Sequence, residues 1–135
     1  MANGPLHNLK VLDLTRILAG PSCTQMLGDL GADIIKIEKP GMGDDTRRFA
    51  PPFIRDSNDN ETSESAYFCS TNRNKRSVTL DLTQAEGQKI ALKLLKHCDI
   101  LVENFKTGGL KKYGLGYDQL KSKFPRLVYC SITGF

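Results

Sequence analysis

Apolar positions along the chain come in short runs and helical repeats that alternate from one end to the other. Residues 11–15 are an apolar run closed by Thr15, and Gly20-Pro21 opens the next element, because proline fits a first helical turn where its missing N–H is not needed. Cys23, Met26, Leu27 and Leu30 then recur at i, i+3, i+4 and i+7, which predicts an amphipathic helix with those four on its buried face. Gly31 supplies its left-handed stop. The segment ADIIKIE reads as a strand inside a parallel sheet, since Ile34, Ile35 and Ile37 point to burial on both faces.

Residues 40–64 are polar and rich in Gly, Pro and Asp, too long for an ordinary connection, and are expected to form one functional or mobile loop. NRNKRS leads into SVTLDL, where Val78, Leu80 and Leu82 alternate with polar residues as in a half-exposed strand. Thr83 is placed to cap the next helix, with Glu86 completing a capping box and Ile90, Ala91, Leu94 and Leu95 forming the buried face. DILVENF is a further buried strand. A basic turn KTGGLKKY, a stop at Gly114, a short helix begun by Asp118 and the strand LVYCSITGF follow. Strands alternating with helices predict an α/β fold, a Rossmann-like parallel sheet with flanking helices and right-handed crossovers. A core strand so near the last residue leads us to expect that 1–135 is a fragment, because the sheet would normally continue or be covered.

Composition narrows the function. The 135 residues carry a net charge of +4, a mild excess that suits an anionic ligand but lacks the dense basic stripe of a nucleic-acid binder, so no nucleic-acid partner is expected. No apolar run approaches the ~20 residues that cross a bilayer, and no membrane partner is expected. Cys23, Cys69, Cys98 and Cys130 are scattered rather than paired as zinc ligands are, and are expected to be reduced and mostly buried in an intracellular protein. MANGPLHNLK shows neither a secretory h-region nor an Arg-rich presequence, so no import signal is expected in this chain.

Candidate chemistry starts from residues 11–38, the outline of a nucleotide-binding βαβ unit. A dinucleotide site needs Gly-x-Gly-x-x-Gly at its first turn, and Gly20, Gly28 and Gly31 have the wrong spacing. Without those glycines Glu38 reads as a solvated strand-end charge, and its neighbours Lys36 and Lys39 suit an anion better than a ribose diol. Asp44 and Asp45 read as a turn with local Asp–Arg pairing, and His7 and His97 lack companions for a metal site. The cysteines have no evident His partner and are assigned to packing. No residue is assigned a catalytic role. Lys75 and Arg76 before one strand, and Lys106, Lys111 and Lys112 after another, form either a solvated basic face or an anion site outside strand ends, to which amides of Ala19-Gly20-Pro21 can add.

Taken in order, LKVLDLTRILAGP, LGDLGADIIKIEKPGMGDDTRR, NRNKRSVTLDL, DILVENF, YGLGYDQL and SITGF resemble the N-terminal part of the class III coenzyme A transferases. That family includes formyl-CoA transferase, carnitine CoA-transferase and α-methylacyl-CoA racemase. The LTRILAGP and GDDTR segments are most similar to the branch of succinate–hydroxymethylglutarate CoA-transferase.

The resemblance implies coenzyme A contacts at Leu18, Ala19, Lys39, Leu80, Thr83, Asn104, Phe105, Lys106 and Lys112, with Leu18 and Lys39 standing where relatives have Gln and Arg. Coenzyme A is then a substrate rather than a tightly bound cofactor, and the partners are a CoA thioester and a carboxylic acid. The implied reaction moves coenzyme A from a dicarboxylyl thioester to a free acid through an aspartyl-CoA intermediate. Relatives carry that aspartate beyond SITGF, so these 135 residues alone are expected to be inactive. The resemblance also implies a homodimer for the full-length enzyme and a mitochondrial setting, with the cytoplasm as the alternative. A racemase of the same family and a non-catalytic CoA-binding module are the other readings.

Overall fold

The computed structural model describes residues 4–134; Met1–Asn3 and Phe135, the end of the expected last strand, lie outside the described residues. The chain runs β1 (Lys10–Asp13), α1 (Ala19–Asp29), β2 (Asp33–Glu38), a 3-10 turn (Asp45–Arg48), β3 (Phe53–Arg55), β4 (Glu61–Ser65) and α2 (Ala66–Asn72). It continues through β5 (Lys75–Thr79), α3 (Ala85–Leu95), β6 (Ile100–Glu103), a second 3-10 turn (Lys111–Tyr113), α4 (Tyr117–Leu120) and β7 (Val128–Ser131).

One parallel sheet in the order β5-β2-β1-β6-β7 carries the fold, and β3 with β4 form a separate antiparallel hairpin. The chain builds outward from β1 through β2 to β5, then returns to lay β6 and β7 on the other side of β1. The order therefore reverses between β1 and β6, the place where open α/β sheets leave a crevice beyond their carboxyl ends.

Strand alternation sends Val11 and Leu12 to opposite faces, and each seeds a core. Leu12, Leu14, Ile37, Ala91, Leu95 and Leu101 pack on one side with Leu110, Leu115 and Leu120. Val11, Ala32, Ile34 and Val102 pack on the other. Gly87 lets α3 lie close to the chain, because a Cβ there would stand 2.1 Å from the carbonyl oxygen of Asp81. Gly31 and Gly114 take the left-handed conformation expected of them, with φ of 102° and 72°.

Several expectations are corrected. In α1, Met26 is 60% and Leu30 46% exposed, while the buried positions are Gly20, Pro21, Thr24 and Gln25. The inward face is polar because its partners are polar: Thr24 Oγ1 donates to Asp13 Oδ2 at 2.6 Å, and Gln25 bridges Ser70 O and the N–H of Arg73. In α3, Ala91 and Leu95 are buried but Ile90 is exposed, and the cap residue is Gln84. Thr83 makes no capping box, since its N–H and hydroxyl both donate to Asp81 Oδ1, at 2.9 and 2.6 Å. Residues 40–64 are not one loop but contain a 3-10 turn and the β3–β4 hairpin, and α2 follows, capped by Ser65 Oγ accepting from the N–H of Phe68 at 3.0 Å. The strand expected around Val78, Leu80 and Leu82 starts earlier, at Lys75, and ends at Thr79, so Leu80 and Leu82 lie in the loop beyond it. All four cysteines are free, but Cys69 is exposed and the other three are only partly buried.

Candidate functional site

The carboxyl end of β1 is a hub of buried charge. Asp13 is fully buried, and its Oδ1 accepts from the N–H and hydroxyl of Thr15 at 2.8 and 2.5 Å. Its Oδ2 accepts from Thr24 and from Lys75 Nζ, the latter at 3.2 Å. Lys75 also donates to Pro21 O and Asn72 Oδ1, so it is an internal cation and not a ligand-facing one. Burial pushes its pKa down to about 8 against the opposing attraction of Asp13. Arg76 is likewise engaged, in a two-point pair with Asp33 at 3.0 and 2.7 Å.

The end of β2 overturns the solvated reading of Glu38. The residue is 4% exposed, and its carboxylate accepts from Arg47 Nε, Arg47 Nη2, Ser77 Oγ and the N–H of Asp44. Lys36, assigned from sequence to an outside anion, is 1% exposed and donates instead to Asp44 Oδ2 and Thr15 O at 2.8 and 2.9 Å. The pairing expected within the Asp44-Asp45 turn is therefore long-range: Asp44 meets Lys36, and Asp45 meets Arg16 at 3.3 Å. Burial would raise the Asp44 carboxyl, but the hydrogen bond and charge of Lys36 hold it below the usual range.

A cleft of about 330 Å³, with Glu38 in its wall, lies beyond the carboxyl ends of β1, β2, β5 and β6. Ile37, Leu80 and Leu82 supply apolar wall; Phe105 and Tyr113 supply rings; Arg16, Lys39 and Lys112 supply positive charge. Of the nine residues expected to meet coenzyme A, the cleft gathers Lys39, Leu80, Thr83, Phe105 and Lys112. Among the described residues no carboxylate pairs with Lys39, Lys106 or Lys112, and Lys112 Nζ lies 4.8 Å from the centroid of the Tyr113 ring.

The other four expected residues stand apart from it. Asn104 and Lys106 line an adjoining depression of about 400 Å³ with Thr107 and Thr133, and Phe105 is shared by both. The amide of Asn104 is occupied: its Oδ1 accepts from the N–H of Arg16 at 2.8 Å and its Nδ2 donates to Arg16 O at 2.7 Å. Leu18, 49% exposed, and Ala19 open α1 outside both hollows. Sequence reasoning passed over Arg16, whose guanidinium lies 5.5 Å from the Phe105 ring centroid. Its place directly after an apolar strand was the signal that could have found it.

Flat rings, an apolar wall and unpaired cations suit a ligand that joins a planar heterocycle to phosphate groups. Two carboxylates line the cleft: Glu38, held by Arg47 and Ser77, and Asp81, whose pKa hydrogen bonds from Thr83 hold down. Among the described residues there is no group of three His, Cys, Asp or Glu side chains that could hold a metal ion, and no helix long and apolar enough to cross a membrane.

The model of CoA-transferase family III matches residues 6–135. Succinate–glutarate CoA-transferase of Agrobacterium fabrum is 50% identical over 131 residues, which cover 97% of this chain and 32% of that protein. Succinyl-CoA:glutarate CoA-transferase of Homo sapiens is 48% identical over 131 residues, 97% of this chain and 28% of its own length. The crystal structure of a CAIB/BAIF family protein from Brucella suis superimposes with a TM-score of 0.90 at 53% identity, over 98% of this chain and 34% of that one. The chain thus spans about a third of the length of these relatives.

Proposed function

The chain belongs to CoA-transferase family III, and from that premise we propose that the cleft beyond β1, β2, β5 and β6 holds the nucleotide end of coenzyme A. The protein it serves moves coenzyme A from a dicarboxylyl-CoA thioester to a free carboxylic acid, with residues 1–135 as the N-terminal part of its large domain. One observation carries the reading: four separate segments, at Lys39, at Leu80 and Thr83, at Phe105 and at Lys112, converge on a single cleft at the switch point of the sheet.

The cleft's part is binding and orientation. Its lysines attract the phosphates, while Phe105 and the apolar wall take the flat base. Energy from this non-reacting end of the substrate positions the thioester for the chemical step. Arg16, which the cleft adds to the expected set, stands beside Phe105 and extends the positive rim. Leu18 has no side-chain hydrogen bond to offer, so any contact there is through the main chain. The family's aspartyl-CoA step falls to an aspartate that the resemblance puts beyond SITGF, outside the cleft. The homodimer and the mitochondrial setting belong to the same proposal and rest on the resemblance alone.

Calorimetric titration of the full-length protein with coenzyme A tests it. Lys112→Ala is expected to weaken binding about fivefold, the size of one charge-assisted contact at a partly exposed site. The loss should be smaller for dephospho-CoA if the 3′-phosphate is the partner, and should narrow with added salt. Equal affinity of parent and variant at low salt removes Lys112 from the site. Absence of binding by the parent removes the cleft.

A further inference from the structure

Side chains from distant segments hold the turn between β1 and α1. Lys36 Nζ donates to Thr15 O at 2.9 Å, Asn104 takes both the N–H and the carbonyl of Arg16, and the N–H of Ile17 donates to Asp44 Oδ1 at 3.2 Å. At the centre of this clamp Ile17 has φ of 71°. A β-branched residue in the left-handed region is a genuine outlier, which persists only where its surroundings over-determine it. Glycine would adopt that conformation freely. With isoleucine there, the shape of the turn depends on the groups that grip it.

Asp44 is the grip best placed to matter. It is 1% exposed, is paired with the equally buried Lys36 at 2.8 Å, and accepts on Oδ1 from the N–H and hydroxyl of Thr46 at 3.0 and 2.9 Å. Its own N–H donates to Glu38 Oε2 at 2.8 Å. The carboxylate has no freedom to follow Ile17 if the turn relaxes.

We propose that Asp44, backed by Lys36, is a positioning residue that holds Ile17 left-handed and thereby sets where Leu18 and Ala19 present the first turn of α1 to coenzyme A. The inference rests on the coenzyme reading above. Asp44 itself touches no substrate and acts through Ile17.

The test is a rescue. Lys36→Met with Asp44→Ala removes both buried charges together, so neither is left without its partner. Coenzyme A affinity, measured by calorimetry, should fall about tenfold, or ~1.4 kcal/mol. Adding Ile17→Gly should recover most of that loss, because glycine no longer needs the grip. An affinity equal to the parent's in the paired variant overturns the proposal, as does a loss that Ile17→Gly leaves unchanged. If the paired variant fails to fold, Lys36→Met with Asp44→Asn takes its place: it keeps an acceptor oxygen and leaves no buried charge without its partner, so a smaller loss is expected, again relieved by Ile17→Gly, and an unrelieved loss overturns the proposal. If the parent does not bind coenzyme A, the coenzyme reading falls by itself. Amide exchange then decides the clamp: faster exchange of the Ile17 N–H in the variants supports it, and unchanged exchange overturns it.

Discussion

Glu38→Gln removes one buried negative charge while keeping the shape of the side chain. The carboxylate accepts two bonds from Arg47 at 2.8 Å each, one from the N–H of Asp44 at 2.8 Å and one from Ser77 Oγ at 2.7 Å. Burial alone would raise its pKa, but these donors and the Arg47 charge prevail and bring it from 4.5 to about 2. As the pH falls, the unfolded chain takes up this proton first. The stabilisation is therefore complete above the unfolded value and disappears as the pH drops through about 2. A shift of that size corresponds to about 3 kcal/mol at neutral pH, of which less than half remains at about pH 3. Glu38→Gln, which leaves Arg47 without its main counter-charge, should lower the melting temperature by roughly 10 °C at neutral pH. Urea unfolding followed by circular dichroism, for parent and variant at several values from pH 7 down to about 3, measures the gap directly. It should shrink steadily with acid. A gap of the same size at both ends would refute the ionised carboxylate as the source of the stabilisation.

Lys75, whose pKa burial pushes down to about 8, keeps its proton longer in the unfolded chain, so the parent should gain stability between about pH 8 and 10. Lys75→Met should lose that rise, as thermal melts across the range would show; parallel curves would contradict it. Cys69 is exposed, whereas burial raises the Cys23 thiol and pushes Cys98 up to about 11. A thiol reagent at mildly alkaline pH should therefore modify Cys69 first, which peptide mapping checks, and faster labelling of Cys98 would contradict the packing described around it.

Much of the fold was legible because it is local. Apolar runs such as DIIKIE and DILVE mark strands wherever they fall, and Gly31 and Gly114 mark helix or turn ends because left-handed backbone favours glycine. The order of segments also carried the family, since LTRILAGP, NRNKRS and DILVENF follow one another along the chain itself. The short α2 and the β3–β4 hairpin escaped because their apolar residues are too few to set a period. Periodicity misplaced the inner face of α1 for a different reason. A repeat tells which residues share a face, and not what that face meets; here it meets Asp13 and α2, so Thr24 and Gln25 turn inward and Met26 faces out.

Sequence alone therefore determined the alternation of strands and helices, the turn glycines and the kinship, all of which depend on near neighbours or on order. Only the tertiary structure decided the state of the charges. Lys36, Glu38 and Lys75 look like free surface ions along the chain, yet each is buried because a partner from another segment, Asp44, Arg47 or Asp13, supplies the counter-charge that makes burial tolerable. The same folding brought Lys39 and Lys112, neither paired with a carboxylate among the described residues, to one cleft, although they are 73 positions apart in the chain. A residue's local sequence does not state the distance to its counter-ion; the 3-10 turn folding back on β2, and β5 laid beside β2 so that Lys75 reaches Asp13, set it.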